Sequence, residues 1–294
     1  VQEKHVRFPT DSRLYDRART VLVRLAKRRG LKLRQSYERV GKQLMLKQSR
    51  YAHARQYKRA GKCGRHLKTL LGRVIRDIQR KCPEPDRKLR EELKQAQRIY
   101  DQQRKDKGKV YSVHAPEVEC IGKGKSHKPY EFGVKVSLTT TNKRAKGGQF
   151  ILHAKALPGN PYDGHTLAEV LEETQALTGR EIERVYVDKG YIGHKAPKPM
   201  RVFRSGQKRG VHGQIKKELR RRSAIEPVIG HCKAGGHLDR NYLKGRHGDQ
   251  INAVMSAVGY NFRLILKWLR ALLGKIIAAL WDAIMPFSAI KAAS

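Results

Sequence analysis

Two acidic residues stand where a carboxylate could do chemistry. Asp188 follows the short apolar run Val185–Val187 and precedes Lys189-Gly190-Tyr191. Such a run predicts a buried strand, and ligands of open α/β sheets collect at the carboxyl ends of strands. A carboxylate at that place offers hard oxygen to a divalent cation. The same placement suits an aspartate that hydrogen-bonds its own turn. Glu226 closes the stretch Arg222-Ser-Ala-Ile-Glu226, and Lys233 follows seven residues later. Seven residues are about two helical turns, so both side chains point to one face. A carboxylate for metal beside a cation for phosphate is the pairing that phosphodiester chemistry needs. Ser223 and Glu226 also spell a Ser-x-x-Glu capping box, and Pro227 suits the first turn of a helix.

Other clusters promise less. Gly122-Lys-Gly-Lys125 has neither the spacing nor the preceding strand of a phosphate-cradling loop. His231, Cys232 and His237 are close in sequence, yet no second ligand pair completes a zinc site. Asp163 in Tyr162-Asp-Gly-His165 reads as a helix cap, and His114 and His127 flank a basic loop within reach of phosphates. The four cysteines have no Cys-x-x-Cys spacing and read as isolated, reduced thiols of a cytoplasmic protein.

Composition says what such a site would act on. The chain has 294 residues with 65 Lys+Arg against 26 Asp+Glu, a formal charge of +39. A compact body with that charge repels itself until a polyanion neutralises it, and nucleic acid rewards lysine and arginine alike. The balance excludes a collagen-like fibre, a disulfide scaffold and an enzyme for small acidic ligands. Aromatic residues make up 7%, with no aromatic–glycine signature of an RNA-reading module. The most apolar stretch, Leu264 to Met285, is interrupted by Lys267, Arg270, Lys275 and Asp282. That is poor for a bilayer span and predicts an amphipathic packing helix.

The elements that must position these residues follow from periodicity. Val1 to Arg7 alternates like a strand, and Pro9-Thr-Asp-Ser12 reads as a turn and cap. Helical faces recur at Leu14, Ala18, Leu22 and Leu25, again from Leu67 to Ile78, and again from Leu89 to Tyr100. About half of all basic residues lie in this segment, an excess too one-sided for mutual ion pairs and suited to tracking phosphates. After Gly108 the period becomes two. Val110–Val113 is strand-like, and Phe132–Thr139 and Phe150–Ala156 predict a hairpin. Thr166-Leu-Ala-Glu169 predicts a capping box opening a helix to about Thr178. Val185–Val187 and Val202-Phe203 predict strands, then helices over roughly 211–234 and 248–273. The expected order is hairpin, helix, strand, helix, strand, helix, a mixed α/β layer architecture.

Four stretches carry a resemblance that spans nearly the whole chain. They are Val1-Gln-Glu-Lys4 through Phe8-Pro-Thr-Asp-Ser12; His114-Ala-Pro-Glu-Val118 with Gly122–Lys125; Leu157-Pro-Gly-Asn-Pro-Tyr-Asp-Gly-His165; and Tyr186–Tyr191 through Arg222 and Glu226 to Gly245-Arg246. In these the chain resembles the bacterial insertion-sequence DDE transposases, in the family-five group of the family-four type. The resemblance implies an α/β, RNase H-like mixed sheet with flanking helices and a basic helical segment inserted after the first strand. It implies residues 1–12 as a remnant of the first core strand and turn, 13–109 as a basic segment contacting DNA, and 110–273 as the catalytic core. Residues 274–294 form an apolar tail beyond the likeness.

The resemblance also implies roles. Asp188 matches the second catalytic aspartate and Glu226 the glutamate, both ligands of Mg²⁺ (or Mn²⁺). Arg222, Lys233, Lys189 and Tyr191 would bind DNA. The signature tyrosine of the glutamate helix falls on Leu219, and the family's first aspartate falls ahead of Val1; Asp11 matches a turn position. The expectation is a transposase truncated at its start, a homo-oligomer on double-stranded DNA, cytoplasmic and nucleoid-associated, with no membrane role. The other reading is a non-catalytic, basic DNA-binding remnant that binds with strong salt dependence and needs no metal.

Overall fold

Local chemistry starts and stops the helices of the first half. The computed structural model describes residues 1–284 other than Lys125, Arg144 and Lys146. Those three and the tail from 285 to 294 lie outside the described residues, and with them part of the Gly122–Lys125 stretch, the hairpin loop and the tail assigned to 274–294. Two units divide the chain: Lys4–Gly133, and Val1–Glu3 with Val134–Ser294.

In the Lys4–Gly133 unit, α1 (Asp11–Arg28) is capped by Thr10, whose Oγ1 accepts from the Arg13 N–H at 3.4 Å. Helices α2 (Glu38–His53) and α3 (Tyr57–Lys81) follow, then α4 (Arg87–Asp101). Asp86 caps α4 by accepting from the Leu89 N–H at 2.9 Å, and pairs with Arg29 at 2.6 Å just past α1. The apolar faces read from the sequence converge here: Leu22, Leu67, Leu71, Ile75, Ile78, Leu89 and Ile99 are all essentially sealed from solvent. Gly72 lets α3 approach α4, since a Cβ there would lie 2.7 Å from the Tyr100 ring. Strand β2 (Glu119–Gly122) pairs antiparallel with the start of β3 (Tyr130–Thr140). Val110–Val113, expected as a strand, is irregular backbone whose two valines serve the helical core instead.

The second unit holds the mixed layers. Only Gln2–Glu3 of the alternating start forms a strand, β1. Gln2 is buried, donating to Asp249 and accepting from Asn252 Nδ2 at 3.0 Å. β3 pairs antiparallel with β4 (Ile151–Leu157) from Lys135↔Leu157 to Thr140↔Ile151, the hairpin expected, with a shift at Thr139/Thr140. Within this unit β3 is flanked by β1 and β4. A separate two-stranded parallel sheet joins β5 (Arg184–Val187) to β6 (Arg201–Arg204). The fold is thus mixed α/β.

Several elements differ from expectation. Helix α5 (Asp163–Thr178) begins three residues before Thr166, whose hydroxyl donates to the Asp163 carbonyl within the first turn rather than capping. Asp163 is not the cap either; its carboxylate pairs with Lys135 at 3.1 Å. No helix separates β5 from β6, only a three-residue 3₁₀ turn at Lys189–Tyr191. The helix expected over 211–234 is broken into α6 (Gly213–Arg221), a 3₁₀ turn at Arg222–Ala224, and α7 (Ile225–Gly236). Pro227 has no N–H for the Ser223 carbonyl and its ring crowds that carbonyl, which accounts for the tightened turn. Ser223 accordingly donates back to the Arg220 carbonyl at 2.9 Å and does not cap. Helix α8 (Gly245–Ile284) runs past the expected end because alanine, leucine, isoleucine and lysine on both sides of Gly274 are good helix formers and carry the helix through it. No described helix is long and apolar enough to cross a membrane.

Candidate active-site cleft

A cleft of about 970 Å³ opens in the second unit. Its lining includes Asp188, Glu226, Arg222, Lys233 and Tyr191, brought together from three different elements. Lys189 does not line it; its side chain runs beside Gly206, where a Cβ would come within 3.0 Å of its Cε.

Asp188 follows β5 directly and caps the 3₁₀ turn, its Oδ1 accepting from the Lys189 N–H at 2.7 Å. The self-bonded turn and the strand-end carboxylate, alternatives in the sequence, coexist in one residue. Glu226 sits in the first turn of α7 and is exposed; Arg222 Nη2 lies 3.5 Å from its Oε1, one helical turn back. The seven-residue spacing does carry Glu226 and Lys233 to one face, toward the cleft. Tyr191 lines the same cleft, and burial, reinforced by the negative charges of Asp163 and Asp188, raises its pKa. Its phenol stays protonated and neutral.

One group of residues escaped the sequence reading. Tyr186 on β5 donates its hydroxyl to Glu218 on α6. Glu218 also accepts from Arg184 Nε at 3.2 Å and Gln214 Nε2 at 2.9 Å. Burial, then the bond to Glu218, pushes the Tyr186 phenol up to about 12, while its hydrogen bond holds Glu218 below the usual carboxylate range. Asn142 completes the fastening, donating to the Glu218 carbonyl at 3.1 Å and accepting from Arg221 Nη1 at 2.8 Å through its own carbonyl. Gln214 and Glu218 share a helix face, which the i, i+4 spacing signals. Nothing in spacing links Glu218 to Tyr186, 32 residues away.

Asp188 and Glu226 both line the cleft and offer carboxylate oxygen, the hard donor type that Mg²⁺ or Mn²⁺ takes. Among the described residues no group of three or more His, Cys, Asp or Glu is placed to hold a metal. His231, Cys232 and His237 form no such group either. All four cysteines are free.

The cleft is thus lined by carboxylates and cations together, with Glu218 beside Asp188 and Glu226, and Arg221 beside Arg222 and Lys233. Comparison with known proteins adds the family. The transposase DDE domain family matches residues 81–262, more than half of the chain, and the chain belongs to that family. A stretch of 57 residues is 54% identical to an uncharacterized protein, ORF8 in the nfe locus of Rhizobium meliloti. That stretch covers 19% of this chain and 28% of the relative, so the chain spans less than a third of the relative it matches. No solved structure matches.

Proposed function

We propose that the chain acts on double-stranded DNA in transposition, cleaving insertion-sequence ends and transferring them to target DNA, with Asp188 and Glu226 as the catalytic pair. The observation that carries this reading is the convergence of Asp188, Glu226, Arg222 and Lys233 on one cleft. Arg222 and Lys233 hold phosphate oxygens and set the backbone beside the acids. Tyr191, neutral, offers its hydroxyl to the same backbone, and Lys189, outside the cleft, adds positive charge for it. Asp188 and Glu226 hold Mg²⁺ or Mn²⁺, which when bound supplies Lewis-acid activation of the scissile phosphodiester. The basic helices α1–α4 add sequence-independent phosphate contacts, and the protein works as a homo-oligomer on paired ends in the cytoplasm, at the nucleoid.

Mn²⁺ binding, followed by electron paramagnetic resonance of the full chain, tests the acids without relying on turnover. Asp188→Ala and Glu226→Gln should each weaken binding by at least ~10-fold, the loss that even an outer partner of a metal ligand causes. Unchanged binding in both variants would overturn their assignment.

A second reading, DNA binding without cleavage, rests on charge: 65 Lys+Arg against 26 Asp+Glu suit a polyanion whether or not it is cut. Under it, DNA affinity would be intact, salt-dependent and indifferent to Mg²⁺.

A further inference from the structure

Helix α8 has two apolar faces, and only one is used within its unit. Ala253, Ala257, Tyr260 and Leu264 are buried, with Ala257 and Tyr260 in a core with Ile151 of β4 and Val228 of α7. From Ile265 to Ala283 every side chain is exposed. Along the other face run Val258, Phe262, Ile265, Leu269, Leu272 and Ile276, which are 37–60% exposed. Their spacing alternates four and three residues over nearly three heptads. That is the 3.5-residue repeat of a coiled-coil seam, with Leu266, Leu273 and Leu280 widening it along one edge.

We propose that this seam is a self-association surface, occupied by α8 of a second copy of the chain. The inference rests on the oligomeric part of the function proposed above and names the surface. Its period selects a helix, because a strict heptad keeps its knobs facing a helical partner over several turns. No charge interrupts its core positions between Val258 and Ile276, so an identical seam related by a two-fold axis satisfies it without any complementary charge code. Its size is sufficient: a face of this length, lined by half-exposed large side chains, offers on the order of 800 Å² per copy, the area of a standard interface. The charge of +39 opposes the meeting of two copies in dilute buffer. Salt or bound DNA screens that repulsion, so ionic strength should strengthen the dimer while it weakens DNA binding.

Sedimentation velocity of the full chain in moderate and high salt tests this. Expected is a species of twice the 33.6 kDa chain mass, more populated at higher salt. The triple variant Leu269→Glu, Leu272→Glu, Ile276→Glu should dissociate at least ~1000-fold more readily, given the apolar area lost on both copies. The milder pair Leu269→Ala, Leu272→Ala, which keeps helix propensity, should show a weakening of ~10-fold or more and guards against a misfolded triple variant. Ile277→Glu, exposed but off the seam, should leave the dimer intact. A wild type that stays monomeric at both salts, a triple variant that stays dimeric, or an Ile277→Glu variant as monomeric as the triple would overturn the proposal. So would a monomer that floats with neutral phosphatidylcholine vesicles, which would make the seam a lipid-facing surface. Mn²⁺ binding by Asp188 and Glu226 is untouched by these variants, so the two proposals fail separately.

Discussion

The hydroxyl of Tyr186, two residues before Asp188 on β5, is donated to the carboxylate of Glu218, eight residues before Glu226. One hydrogen bond therefore fastens the strand that ends in one acid to the helix that leads to the other. Glu218 is further held by Arg184 and Gln214, so its charge is spread over three donors.

Titration should expose this bond. The Tyr186 phenol ionises near 12 in the fold against about 10 in the unfolded chain, so the folded state binds the proton more tightly. Stability tied to it is complete below about pH 10 and lost as pH rises toward 12. Glu218 has the opposite sign: its pKa is lowered, so its contribution is present above the usual carboxylate value and lost as pH falls through the folded one. In Glu218→Gln, ultraviolet titration should move the Tyr186 ionisation downward, while burial alone keeps part of the elevation.

DNA binding should report the cleft cations through its salt dependence. Each phosphate contact contributes about −0.9 to the slope of log K against log salt. Arg222→Ala and Lys233→Ala should each flatten that slope by about 1 and weaken binding almost equally across sequences. Fluorescence anisotropy at several salt concentrations checks this; an unaltered slope in both variants would remove the two residues from the phosphate-holding surface.

Packing in the helical unit predicts a stability cost where the sequence has a glycine. A Cβ on Gly72 would lie 2.7 Å from Tyr100 Cε2, and the ring is already partly buried against the core. Despite alanine's better helix propensity, Gly72→Ala should cost about 1–3 kcal/mol through overpacking. Thermal unfolding would show it as a fall in Tm; a rise would mean that the ring swings aside freely.

The pieces legible in the sequence were those with local signals. Asp188 was visible as a strand-end carboxylate and Glu226 with Lys233 as one helical face, because spacing within an element fixes direction. The hairpin of β3 and β4 showed in its period of two. The Tyr186–Glu218 bond was hidden because it joins two elements that only tertiary packing brings together. Ser223 misled for a local reason: its capping-box spacing is real, but Pro227 turns Arg222–Ala224 into a 3₁₀ link and redirects the hydroxyl. The helix expected to end near 273 continues as α8 to Ile284 through Gly274, whose cost is outweighed by the helix formers around it.

The central claim is that Asp188 and Glu226 form the cleaving centre of this transposase-family chain. The most direct test is incubation of the purified chain with supercoiled plasmid carrying candidate terminal repeats, with and without Mg²⁺, beside Asp188→Ala and Glu226→Gln. Nicking should require Mg²⁺ and disappear in both variants while DNA affinity is retained, since neither acid is a phosphate contact. Nicking that persists in Asp188→Ala, or a wild type that binds the plasmid fully and never cuts it, would contradict it.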